Sequence, residues 1–215
     1  MEMALDIAKR FIKDKKAIFL VIAYLLTIIG YEFVNELNIP SVSIATTLDN
    51  KIPLIKYFVI PYYMWYLLVI FSFIYIYAKN NEEFYKFTTC IILTMLSALA
   101  IFLLFQTSVS RPIIVGDDIF SNMIRNIYAN DRPVNCCPSL HVAISLVCSI
   151  WVCRVSESRL IRSSVIITGY LIILSTLFIK QHVIMDVVVA FIQVFLLRMV
   201  VDRKPSIKYE EAIKY

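Results

Sequence analysis

The sequence predicts an all-α, polytopic membrane helix bundle with six transmembrane helices and both termini cytoplasmic. Three observations predict it. Apolar residues make up 60% of the 215, charged residues only 17%, and the mean hydropathy is +0.77. Soluble domains run nearer half apolar and a quarter charged, so a water-soluble globule, a disordered chain and a coiled coil are excluded. Six stretches approach the roughly 20 apolar residues that a spanning helix needs. Finally, Lys and Arg fall unevenly on alternate segments.

The spans run in order from Ala17 to Val34, Tyr57 to Ala78, Phe87 to Phe105, Ser139 to Val152, Leu160 to Ile179 and Val183 to Val201. The fourth is the shortest. Lys9, Arg10, Lys13, Lys15 and Lys16 precede the first span, whose apolar run is long for a signal core, so it is expected to remain as an uncleaved helix. Counted by alternate segments, 15 of the 21 basic residues lie on the side of the termini and 6 on the other. The positive-inside rule therefore places both termini in the cytoplasm, which requires an even number of spans. The chain reads as one membrane-embedded domain, 1–215, with 1–16 and 202–215 as cytoplasmic tails.

The net charge of +5 is explained by topology and does not indicate nucleic acid. The five cysteines, Cys90, Cys136, Cys137, Cys148 and Cys153, are odd in number and mostly lie within apolar runs, which is no disulfide framework. Adjacent Cys136 and Cys137 lack a second Cys/His pair at metal spacing, so no metal site is expected.

The outward segments carry the chemistry. His141 and His182 are the only histidines, and each sits near the outer start of a span. Pro138-Ser139 suits the first turn of a helix, with Ser139 as its cap. Asp186 is four residues beyond His182, a spacing that puts two side chains on one helix face, where a carboxylate fixes the imidazole tautomer. Two helix N-termini converging on one point make an anion site, and Arg111 and Lys180 add cationic charge. Either histidine alone reads as a polar belt residue. Two imidazoles, an orienting carboxylate and a cationic cradle on one side fit phosphoryl transfer. Asp49, Asp117, Asp118, Arg125 and Arg132 read as solvated loop charges. Tyr57, Tyr62, Tyr63, Trp65 and Tyr66 read as an interfacial belt, with a lipid entry route as the alternative.

These residues resemble the phosphatidic acid phosphatase type 2 superfamily, which shares its core with vanadate haloperoxidases. That family carries Lys-x6-Arg-Pro, Pro-Ser-x-His and Ser-Arg-x5-His-x3-Asp. The chain shows Arg111-Pro112, Pro138-Ser139-Leu140-His141, and Ser175 through His182 to Asp186. The Lys position of the first motif is Leu104, and the Arg position of the third is Thr176. Lys180 is expected to replace the cation missing at Thr176, because four residues are about one helical turn. Similar Lys-Gln-His sequences occur in the branch that resembles inositol phosphorylceramide and sphingomyelin synthases.

The resemblance implies roles. His182 would be the nucleophile that forms a phosphohistidine, Asp186 would orient it, and His141 would act as general acid and then base. Arg111, Ser139 and Lys180 would hold the phosphate oxygens, and no metal or other cofactor would be needed. The implied substrate is a lipid phosphate at the outer face of the cell membrane. Three readings stay open: a lipid phosphate phosphatase, a lipid phosphotransferase with an alcohol acceptor, and a non-catalytic transporter or binding protein.

Overall fold

The computed structural model describes residues 2–203; Lys204, Lys208 and Lys214, counted above with the cytoplasmic side, lie outside the described residues. Among the described residues the architecture is a helix bundle with one very short β pairing. The helices are α1 (Glu2–Lys13), α2 (Lys15–Glu36), α3 (Val59–Lys79), α4 (Asn81–Leu104), α5 (Ile119–Asn130), α6 (Leu140–Val155), α7 (Arg159–Phe178) and α8 (Ile184–Asp202). Strands β1 (Val42–Ser43) and β2 (Thr107–Ser108) pair in parallel.

Five helices are long and apolar enough to cross a membrane: α2, the segment Lys56–Lys79 that contains α3, α4, α7 and α8. The fourth expected span, α6, is an apolar helix of only 16 residues. Its burial explains why it can be short. Val142, Ala143, Val147, Cys148, Trp151 and Val152 are all buried, and α6 packs against α3, α4, α7 and α8 at once. It is the central helix, surrounded by protein. The outer helices instead expose Phe19, Leu26, Phe33, Leu67, Tyr170 and Phe195, as lipid-facing surfaces do.

Two helices were not foreseen. The basic tail forms α1, which lays Ile7 and Phe11 on the core and meets Tyr77 edge-on through Phe11 at 5.2 Å. Asp14 ends it and caps α2 by accepting from Ala17 N–H at 3.0 Å. The same carboxylate takes the Tyr85 hydroxyl proton at 2.8 Å, which joins the α1–α2 corner to α4. The long segment between α4 and α6 contains α5, capped by Asp118, which accepts from Phe120 and Ser121 N–H groups. Lys56 pairs with Asp118 at 2.7 Å, and Ile124 and Ile127 pack over Val59, Tyr62 and Ile179. A helix thus covers the end of the bundle that carries both histidines.

The β pairing sets Val42 against Thr107 and Ser43 against Ser108, tying the 37–56 segment to the segment that follows α4. Helix α2 packs on α4 and stands apart from α3, bridged by a stacked Tyr24–Phe73 pair at 5.2 Å. The result is an open cleft along α2 and α3 that leads toward the segment between α4 and α6.

Candidate active site

Helix α7 ends in a Schellman turn. Gln181 N–H reaches Thr176 O at 3.0 Å and Lys180 N–H reaches Leu177 O at 3.2 Å, with Lys180 in the left-handed region at φ 57°. His182 N–H adds a further bond to Thr176 O at 3.1 Å. His182 is therefore placed by a turn. It is not on a helix face: α8 begins at Ile184, and Val183 is extended.

The His182–Asp186 pair forms nonetheless. Asp186 sits in the first turn of α8, fully buried, and its Oδ2 accepts from Val183 N–H at 3.0 Å while lying 3.1 Å from His182 Nδ1. The contact is a helix-start geometry in which the carboxylate reaches back past the cap. With Nδ1–H given to Asp186, Nε2 is the nitrogen left for chemistry. Asp186 Oδ1 is buried without a partner. The start of α6 is tied to the same point, since Ser139 N–H donates to Asp186 O at 3.2 Å.

His182, His141 and Arg111 line one small cavity of about 20 Å³, together with Gln181, Asp131, Tyr31 and Cys136. His141 is held as an aromatic in a stack. Its ring lies 4.3 Å from Tyr62 and 4.7 Å from Trp65, and its Nε2 is buried with no partner. Arg111 is fixed on every side. Its Nη1 donates to Asp131 O at 2.6 Å, its Nη2 donates to Gln181 Oε1, and its guanidinium covers the Tyr128 ring at 4.7 Å. The donors left over are Arg111 Nε and Gln181 Nε2, both buried and unpartnered. Buried donors of this kind are costly unless a ligand meets them.

Two expected ligands of the phosphate stand elsewhere. Lys180 donates its ammonium protons to the carbonyls of Asp49, at 3.0 Å, and Ile52, and it does not line the cavity. The helical-turn argument failed because the helix ends at Phe178 and the left-handed turn swings the side chain toward the 49–52 segment. Ser139 is fully buried; its Oγ accepts from Val142 N–H at 3.4 Å, so it caps α6 as expected and is not among the cavity walls. Leu104, at the first motif's Lys position, is 87% exposed at the end of α4.

Three residues were missed or misread. Gln181 lines the cavity where Lys180 was expected, and only the turn geometry reveals it. Asp49 is buried, not solvated. It accepts from Ile184 N–H at 2.8 Å and from Thr46 N–H at 2.7 Å, and so caps α8 from 135 residues away. Burial would raise its pKa, but those hydrogen bonds and the Lys180 charge prevail and hold it below the usual carboxylate range. The start of α8 is thus satisfied by Asp49 and Asp186. Asp131, to which the sequence gives no role, lines the cavity and accepts a hydrogen bond from the Tyr31 hydroxyl at 3.2 Å. Burial pushes its carboxyl up, against the pull of Arg111, His182 and the Tyr31 bond.

Cys136, His182 and Asp186 are the described residues whose donor atoms cluster as a metal ligand set would, within 4.8 Å of one another. All five cysteines are free thiols, and burial pushes the Cys137 thiol up to about 11.

A family model described as the PAP2 superfamily matches residues 27–200. The chain belongs to that superfamily. The match runs from within α2 to within α8 and contains every residue of the cavity. Searches of curated proteins and of solved structures returned no match. Membership supports phosphoester hydrolysis as the general chemistry of this PAP2 protein.

Proposed function

We propose that the chain is an integral-membrane lipid phosphate phosphatase that works through a phosphohistidine on His182. The observation that carries this reading is the joint lining of one cavity by His141, His182 and Arg111, with the buried Asp186 carboxylate on His182 Nδ1. His182 Nε2 attacks phosphorus and the alcohol oxygen leaves. Asp186 stabilises the imidazolium that forms. His141 gives a proton to the leaving oxygen and later takes one from the attacking water. Arg111 and Gln181 supply N–H donors to the phosphate oxygens, in place of the donors expected from Lys180 and Ser139. This chemistry requires no metal ion.

The reading extends to topology. A 16-residue α6 is about 24 Å long, shorter than the ~30 Å hydrocarbon core, and as the central helix it would complete six spans while keeping the site recessed. The 15-to-6 division of basic residues supports cytoplasmic termini and a site on the outer face.

A second reading, a lipid phosphotransferase using the same intermediate, is favoured by one feature. A cavity of about 650 Å³ shares His141, Asp131 and Tyr31 with the small one and can seat an alcohol acceptor. The test is a purified-protein assay across a panel of lipid phosphates in EDTA. Release of inorganic phosphate, abolished in His182→Ala, supports the phosphatase. Transfer to an added lipid alcohol without phosphate release would favour the second reading, and activity persisting in His182→Ala would reject both.

A further inference from the structure

Helix α1 carries more apolar surface than the bundle covers. At the helical period of about 3.6 residues, Leu5, Ile7, Ala8, Phe11 and Ile12 fall on one face, and Asp6, Lys9, Arg10 and Lys13 on the other. Ile7 and Phe11 rest on the core, and Arg10 donates to Tyr77 O at 2.5 Å, which fastens the helix to the end of α3. Leu5 and Ile12 stay 55% and 72% exposed. A helix of this kind lies in a membrane interface with its apolar face toward the acyl chains. Beside it, α2 and α3 stand apart over an apolar groove of about 460 Å³. Ile7, Ala8 and Phe11 form one wall, Val21 and Leu25 of α2 and Ile74 of α3 the others, and no charged side chain lines it.

This groove lies far from the histidines. From Lys15 to Tyr31, at the wall of the small cavity, α2 rises about 24 Å. A phosphate held beside α1 is therefore out of reach of His182. The margin of the groove is basic: Lys9 and Lys13, one turn apart on α1, and Lys15 at the start of α2 are all exposed. Polybasic segments attract anionic headgroups, and an apolar groove of this size suits a hydrocarbon chain. A second copy of the chain would bring like charges together at this margin, which opposes pairing there. We propose that α1 and the groove form a binding site for an anionic phospholipid of the adjacent leaflet, with one acyl chain between α2 and α3 and the headgroup among Lys9, Lys13 and Lys15. The chain fills the space that α2 and α3 leave open beside the stacked Tyr24–Phe73 pair. This binding does not depend on the reaction at His182.

The test is photolabelling of the full chain in phosphatidylcholine vesicles, in His182→Ala protein so that turnover of the probe plays no part. Two probes carry the same diazirine-bearing acyl chain, one on phosphatidylglycerol and one on phosphatidylcholine, and the labelled peptides are mapped. The proposal predicts label on the groove segments of α1, α2 and α3, at least about fivefold more from the anionic probe. Replacing Lys9, Lys13 and Lys15 together by Gln should bring that ratio close to one, and these exposed positions put the fold at little risk. Ala8→Phe, which fills the groove from its edge, should lower labelling by both probes. Equal labelling by the two headgroups, or label spread evenly over α7 and α8, overturns the proposal and leaves ordinary bilayer contact. Label concentrated on the Tyr62–Tyr66 segment overturns it in favour of a lipid entering from the histidine end. A dimer in light scattering that Ala8→Phe dissociates also overturns it and gives the groove to a second copy.

Discussion

Replacing Asp186 by Asn removes one charge and keeps the shape, so its effect can be worked from the geometry. The side chain is fully buried, with Oδ2 at 3.1 Å from His182 Nδ1 and 3.0 Å from Val183 N. An amide oxygen can still accept from Val183 N–H, so α8 should start where it does now. What is lost is the ion pair that forms when His182 becomes an imidazolium during attack. Two unit charges about 4 Å apart at an effective dielectric of about 20 interact by about 4 kcal/mol. At 1.36 kcal/mol per decade that corresponds to about a thousandfold in kcat. Asp186 is not a wall of the cavity, so KM should stay within about threefold. The assay is phosphate release from a lipid phosphate in mixed micelles, with circular dichroism of each variant as a control on folding. If Asp186→Asn keeps kcat within about tenfold of wild type while His182→Ala is inactive, the carboxylate does not support charge on His182 and the reasoning fails.

Three further predictions follow from the same contacts. Gln181→Leu should lower kcat/KM by about tenfold or more, because a buried donor facing the cavity is lost, whereas Lys180→Ala should change it less and lower thermal stability instead; the reverse order in side-by-side kinetics and melting curves would restore Lys180 as the phosphate ligand. Asp49→Asn should cost about 2 kcal/mol, or roughly 4–8 °C in melting temperature, because the amide has one acceptor oxygen where the carboxylate has two and loses the charge that strengthens its bonds to Ile184 and Thr46. Because the folded pKa of Asp49 is depressed, its contribution is present above the unfolded value of about 3.9 and is lost as pH falls through the folded value, so the gap between wild type and variant should close below about pH 4. Vanadate should inhibit, since its five-coordinate form resembles the phosphoryl transition state, and EDTA should not; loss of activity in EDTA restored by Mg²⁺ would contradict the mechanism.

The parts of this molecule legible in the sequence are those with local causes. Ser139 capping α6, the apolar runs of the spans, and the approach of Asp186 to His182 all depend on residues a few positions apart. Even there the reason differed, since His182 precedes α8 and is not on its face. What escaped is set by turns and by distant contacts. A left-handed Lys180 exchanges its own position with that of Gln181, and no residue type signals this, because glycine or asparagine usually marks such a turn. Asp49 and Ile184 meet only once the bundle is assembled. Nothing local in the sequence marks Asp131 for the cavity; the end of α5 turns it inward toward Tyr31, while Asp117 stays exposed. Helix α1 escaped because its charges were read as a topology signal, though the same residues carry an apolar face with Ile7 and Phe11.

The central claim is that His182 carries the phosphoryl group. Its most direct measurement is to incubate purified protein with a lipid labelled with ³²P at the phosphate, quench in alkali, and map the labelled peptide. The account predicts label on His182, stable in base and released in acid, absent from His182→Ala and accumulating in His141→Ala, where hydrolysis of the intermediate lacks its base. Turnover of the lipid with no label on His182, or with label on His141, would contradict it.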